Sequence, residues 1–180
     1  SHLVNIRYEV VNLTDQPKNM RLLTQIKRDR LPPPTDETVT LAPSPYLGGA
    51  LTTPDNNYEK VDFDDLDEGS FQAATVGGWM AFLQHYFLTA WVAPADQATN
   101  YLARKTSDGF YLFGFTGQNQ SIPSGATGIW QADFYAGPKD QVVLENIAPY
   151  LNLTVDYGFL WWIAIPLFKA LTFFHDMVGN

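Results

Sequence analysis

Chemistry in this 180-residue chain has to come from three histidines and nineteen acidic residues, because it contains no cysteine. A thiolate nucleophile, a disulfide framework and a cysteine-ligated zinc or iron–sulfur centre are thereby excluded. His2 follows Ser1 in a pair consistent with a tag remnant, and on that reading an excised piece of something longer is expected. His85 stands inside the apolar run GGWMAFLQHYFLTAWVAP and reads as a satisfied core histidine, and His175 lies near the end of the last apolar segment. Neither has a second histidine or a carboxylate three or four residues away, and Asp176, adjacent to His175, points elsewhere on a helix. No metal site and no cofactor are expected. G-x-S-x-G, P-loop and G-x-G-x-x-G patterns do not occur, which removes the sequence-visible nucleophile elbow and phosphate cradles. Paired carboxylates stay open, since folding can join any Asp and Glu. The acidic run from Asp55 to Glu68, opposed along the chain only by Lys60, reads as a solvated loop and edge strand. Asn12-Leu13-Thr14 and Asn152-Leu153-Thr154 match glycosylation sequons, a pattern common by chance, and no role is assigned to them.

The bulk properties narrow the class. A net charge of −8 and a pI near 4.6, without a basic stripe, argue against nucleic acid as a partner. With 46% hydrophobic and 14% aromatic residues, one domain with a packed core is expected. No charged n-region followed by an apolar stretch opens the chain, so no signal peptide is expected there.

The elements that must position these residues are mostly strands. Leu3 to Asn12 alternates, with Val4, Ile6, Tyr8 and Val10 on one face, and MRLLTQIKRD repeats the pattern after TDQPKN, predicting a long β-hairpin. Pro32, Pro33, Pro34, Pro43 and Pro45 deprive the next stretch of ladder donors and predict loop or edge. Gly77 to Pro94 predicts one long buried strand. Asp108-Gly109 supplies the positive-φ residues of a tight hairpin. Trp130, Ala132, Phe134 and Ala136 form the apolar face of a further strand, with Gln131 and Asp133 on its wet side. After Gly137-Pro138 the period changes, and Val143, Leu144, Ile147 and Ala148 fall at helical spacing, with Pro138 suited to the first turn. The sum is a β-sandwich over 3–137 and a helical segment over 138–180.

That segment ends in DYGFLWWIAIPLFKALTFFHDM, which Pro166 and Lys169 make too broken for a membrane span. As a helix it places Leu160, Ile163, Leu167, Leu171 and Phe174 opposite Trp162, Ile165, Lys169, Thr172 and Asp176. Periodicity leaves a buried core helix and an interfacial helix both open.

Two stretches are specific. GGWMAFLQHYFLTAWVAP and FYAGPKDQVVLENIAPYLNLTVDYG, continuing to PLFKAL and a closing VGN, closely resemble the large periplasmic domain of YidC, the Oxa-type membrane protein insertase of Gram-negative bacteria. LGGALTTPDNNYEKVDF resembles the family's segment before the aromatic strand. The resemblance covers the C-terminal part of that domain. It implies a mainly β fold with C-terminal helices, a β-supersandwich similar to galactose mutarotase, on the periplasmic side of the inner membrane. It also implies an interfacial helix from Phe159 to Val178, with Phe159, Trp161, Trp162, Phe168, Phe173 and Phe174 as anchors and Lys169 meeting lipid phosphate. Asp156, Tyr157 and Gly158 would form the hinge before it. The implied function is non-enzymatic: a scaffold of an insertase that accepts nascent inner-membrane proteins alone or with SecYEG and SecDF. The fold likeness also raises an alternative, a carbohydrate-binding or mutarotase-like sugar-acting domain in which His85 would have to serve as acid or base.

Overall fold

The computed structural model describes residues 2–31 and 46–155, together with Pro166, Leu167, Ala170, Leu171 and Met177. About half of the described residues lie in twelve strands. Six of them, β1 (Leu3–Val11), β12 (Thr127–Pro138), β8 (Phe87–Val92), β7 (Trp79–Leu83), β4 (Gly48–Leu51) and β5 (Glu59–Val61), form one antiparallel sheet in that order. Four more, β3 (Leu23–Arg28), β10 (Tyr111–Thr116), β9 (Ala98–Lys105) and β6 (Phe71–Val76), form the second, and β11 (Gln120–Ile122) pairs with β2 (Lys18–Met20). β10 packs on β7 and β3 reaches β8, so the two larger sheets face one another as a sandwich.

β7 shows why the central sheet reads as a continuous apolar run. Met80 and Phe82 join Tyr101, Phe113 and Phe115 in the core between the sheets. Trp79, Ala81 and Leu83 point the other way, into a second core with Leu88, Ala90 and Tyr135. All five residues of β7 are buried. The second core is closed by α2 (Gln141–Ile147) and a short 3-10 turn, Leu151–Thr154, through Leu144, Ala148 and Leu151. The layers are therefore sheet, sheet and a helical collar, and a strand buried on both faces cannot alternate.

Several expectations change. Gly77 to Pro94 is a hairpin of β7 and β8, closed by the Gln84 N–H to the Phe87 carbonyl at 2.9 Å. His85 and Tyr86 form its exposed tip, their rings stacked at 3.9 Å, so His85 is not a core residue. No residue of that tip has a positive φ, which is why no Asn-Gly or Asp-Gly signal marks it. β1 and β3 do not pair: β1 binds β12 in the larger sheet and β3 binds β10 in the smaller. The Asp108-Gly109 hairpin forms as predicted, with Gly109 at φ 82°. In β12 the buried set shifts from Trp130 and Ala132 to Tyr135 and Gly137, because the strand passes from the first core to the second. Pro138 ends β12 opposite Phe87, and the helix begins only after Asp140, whose carboxylate accepts from the Val142 and Val143 N–H groups at 3.0 and 3.2 Å. Val143 consequently faces out. The acidic run holds β5, as an edge strand, and α1 (Phe63–Glu68), a helix that the sequence reading did not foresee and that buries Phe63 and Leu66.

Gly114 faces β3 so closely that a Cβ there would lie 1.9 Å from the Thr24 carbonyl oxygen, whereas a Cβ at Gly69 would meet nothing within 4 Å. Gly114→Ala is expected to cost about 3 kcal/mol and Gly69→Ala within about 0.5 kcal/mol, measured by urea unfolding of both variants.

Candidate functional site

The collar determines where the chain leaves the sandwich. Trp79, with no exposed surface, donates its indole N–H to the Pro149 carbonyl at 2.9 Å, tying the turn after α2 to the central strand. The Tyr135 hydroxyl donates to the Pro138 carbonyl at 2.7 Å, holding the strand-to-helix junction at the other end of the collar. Burial, helped by the nearby Asp140 carboxylate, raises the Tyr135 pKa and keeps that donor protonated. Between these two bonds α2 lays Leu144 into the second core. Tyr150 then turns the chain with φ 66°, a left-handed conformation that L side chains adopt at a cost. Val155, still packed on the core, is the last residue before the terminal segment.

Beside this turn lies a cleft of about 740 Å³ lined by Thr52, Thr75, Val92, Asp133, Pro149 and Tyr150, among others. Asp133 is the single carboxylate among the described lining residues and already accepts from the Asn5 amide at 2.6 Å. Such a lining can hold a ligand or chain segment by shape, but it provides no acid–base pair.

The acidic run is structural on the described residues. The Tyr111 hydroxyl donates to Asp67 at 2.6 Å and Lys105 Nζ lies 2.9 Å from the same oxygen, while Arg30 bridges Asp67 and Asp64. α1 is thus tied to β9, β10 and the end of β3. The Tyr111 hydrogen bond first, then Lys105, holds Asp67 below the usual carboxylate range. Among the described residues no group of three or more His, Asp or Glu side chains is placed to hold a metal. The first sequon is absorbed by the fold: Asn12 is buried, its amide donates to the Gln16 and Ile122 carbonyls at 2.8 Å, and its oxygen accepts from Thr14.

All of the expected membrane-interface residues, Phe159, Trp161, Trp162, Phe168, Lys169, Phe173 and Phe174, lie outside the described residues, as do the expected hinge residues Asp156, Tyr157 and Gly158. Of the segment that holds them, Pro166, Leu167, Ala170, Leu171 and Met177 are described, and each is helical and exposed. Among the described residues no helix is long and apolar enough to cross a membrane.

Residues 1–170 match the family described as the YidC periplasmic domain. The chain belongs to that family. A membrane protein insertase YidC from Cellvibrio japonicus is 45% identical over 180 residues, covering 99% of this chain and 32% of the relative. Its counterpart from Saccharophagus degradans is 44% identical over 180 residues, with 100% and 32% covered. That from Pseudomonas syringae pv. syringae is 47% identical over 174 residues, with 96% and 31% covered. The chain therefore spans about a third of the length of the curated relatives it matches. A YidC periplasmic domain lies on the periplasmic side of the bacterial inner membrane, and the collar and cleft are features of that domain.

Two predictions follow from these contacts. Trp79→Phe keeps most of the buried ring but strands the Pro149 carbonyl, and is expected to lower stability by about 1–3 kcal/mol, read from urea unfolding. Because Asp67 titrates lower in the fold than in the unfolded chain, its contribution is present at neutral pH and is lost as the pH falls from the ordinary carboxylate range through Asp67's own lower value. Urea midpoints of the parent and of Asp67→Asn are accordingly expected to differ at pH 7 and to converge near the acid end; equal midpoints at pH 7 would refute the role of the Asp67 network.

Proposed function

We propose that this chain is a non-enzymatic scaffold of a membrane protein insertase, joined to the membrane surface through its C-terminal helical segment. The observation that carries the reading is the exposure of the apolar residues Pro166, Leu167, Ala170, Leu171 and Met177, which follow a collar fastened to the central strand. A helix whose exposed side is apolar lowers its free energy by lying at a lipid headgroup boundary, where Trp rings and a snorkelling Lys are also favoured. In this reading 3–137 is the rigid sandwich and 138–180 is the coupling segment. Phe159, Trp161, Trp162, Phe168, Phe173 and Phe174 anchor it, Lys169 meets phosphate, and Asp156, Tyr157 and Gly158 give the bend. The relatives' name, membrane protein insertase, supports nascent inner-membrane proteins as the clients of the whole protein. Cooperation with the Sec translocon, SecYEG and SecDF, belongs to the same proposal and rests on the family resemblance.

Flotation with vesicles of phosphatidylethanolamine and phosphatidylglycerol tests the link. The whole chain is expected to float and a version ended at Val155 to stay at the bottom of the gradient. If both forms float, or neither does, the terminal segment is not the membrane contact.

A further inference from the structure

α1 carries the chain from β5 of the larger sheet to β6 of the smaller, and its Phe63 and Leu66 belong to the core between the two. Taken alone its sequence makes a poor helix. Six residues are too few to hold a helix in water, and four of them are acidic. Asp64 lies three and four residues from Asp67 and Glu68, and Asp65 three from Glu68, spacings at which like charges repel across a turn. Asp67 and Glu68 also stand at the negative end of the helix dipole, where no basic residue offsets them. The N-cap residue, Asp62, makes no side-chain hydrogen bond to the first turn. α1 is therefore helical because it is docked.

Tyr111 is the post to which it docks. Phe63 and Asp67, four residues apart, share one face of the helix. Phe63 packs on the Tyr111 ring at 4.5 Å between centroids, and Asp67 accepts from the Tyr111 hydroxyl at 2.6 Å. Lys105 at the end of β9 and Arg30 beyond β3 approach the Asp67 carboxylate at 2.9 and 3.1 Å, and Arg30 also pairs with Asp64. One carboxylate thus collects a hydroxyl and two cations from three parts of the smaller sheet, while Phe63 and Leu66 are the buried anchors of the helix. An element with two buried side chains and a charged outer surface belongs to the part of a fold that opens first. β10, by contrast, is laddered to β3 and to β9 over six residues each.

We propose that α1 is a latch, closed on Tyr111 by the Asp67 carboxylate, which opens as a unit while the strands of both sheets stay paired. Opening lifts Phe63 and Leu66 from the core, bares the Tyr111 ring, and frees Arg30 and Lys105 together, because one carboxylate holds all three. One end of the core between the sheets becomes accessible with a single short helix displaced. The latch is separate from the collar and does not depend on membrane contact by the terminal segment.

A chain without cysteine lets single thiols report the opening. Leu66→Cys places a thiol beneath α1, and Ala81→Cys places one on β7 in the second core; each whole 180-residue chain is labelled with 5,5′-dithiobis(2-nitrobenzoic acid) at neutral pH. Leu66→Cys is expected to label about a hundredfold or more faster than Ala81→Cys. Its rate is expected to change little with urea below the unfolding transition, since opening exposes little surface. Asp67→Asn and Tyr111→Phe, each added to Leu66→Cys, are expected to raise that rate about tenfold, the worth of one hydrogen bond to a charged group. Because a cysteine at position 66 also shortens an anchoring side chain, hydrogen exchange in the cysteine-free chain gives the second reading. The Leu66 and Gly69 amides, which donate to the Asp62 and Asp65 carbonyls at 3.2 and 3.0 Å, are expected to exchange well before those of Trp79–Leu83. Equal labelling of the two thiols with the same urea slope overturns the proposal, as does exchange of the α1 amides only together with those of β7, since α1 then leaves only when the whole fold does. Labelling of Leu66→Cys that neither Asp67→Asn nor Tyr111→Phe accelerates overturns it too, by removing the carboxylate from the latch.

Discussion

Trp79 sits on a strand whose two faces both lie inside the protein, and its indole N–H must therefore find an acceptor without water. A buried donor left unpaired costs about 1–3 kcal/mol, so the residue that covers this face has to bring a carbonyl as well as apolar surface. Pro149 does so at 2.9 Å. Its position follows from α2: Asp140 starts the helix, Leu144 and Ala148 seat it on the sheet, and the chain then arrives over Trp79. Tyr150 accepts its left-handed conformation because the contacts on either side, Pro149 to Trp79 and Leu151 in the core, determine it from both ends. The central strand and the direction in which the C-terminal segment departs are thus one packing problem.

Two-sided burial also explains which parts of the fold could be read from residue order. Local features were legible: the Asp108-Gly109 turn, the alternation in the first half of β12, and the helix after Gly137-Pro138. Partner choice was not. β1 and β3 look like two arms of a hairpin because both alternate, but alternation reports a half-buried face and carries no address for the sheet that buries it. The run from Gly77 to Pro94 concealed a turn for a different reason. Apolar residues on both faces erase the period, and a tip without positive φ needs no glycine. α1 was hidden by its charges, since four of its six residues are acidic and only Phe63 and Leu66 reach the core.

The expected membrane-interface residues were named from resemblance and not from periodicity, and they lie outside the described residues. By spacing the terminal aromatic stretch fitted a core helix slightly better than an interfacial one, and Leu167 and Leu171, which are described and exposed, are ordinary core residues by type. The cleft beside Tyr150 could not be foreseen, because Thr52, Thr75, Asp133 and Pro149 come from four separate parts of the chain. In the acidic run the partners that neutralise Asp64 and Asp67, Arg30 and Lys105, lie more than thirty residues away in either direction. Along the sequence such a run looks solvated, and in the fold part of it is a bracket between α1 and the smaller sheet.

Charge bears on how the proposed membrane contact would be arranged. A body with net charge −8 is repelled by an anionic leaflet, but at physiological ionic strength that repulsion fades over roughly 8 Å. Residues 157–175 contain one charged group, Lys169, which is attracted to phosphate. A sandwich held one collar-width from the surface would therefore feel little of the repulsion, while its terminal segment feels the full apolar gain of contact. In that proposal the collar would provide the separation, since α2 and the 3-10 turn occupy the outer face of the larger sheet. The acidic bracket around α1 belongs to the smaller sheet, whereas the collar packs on the larger. An acidic domain can in this way be tethered to an acidic surface without any basic patch of its own.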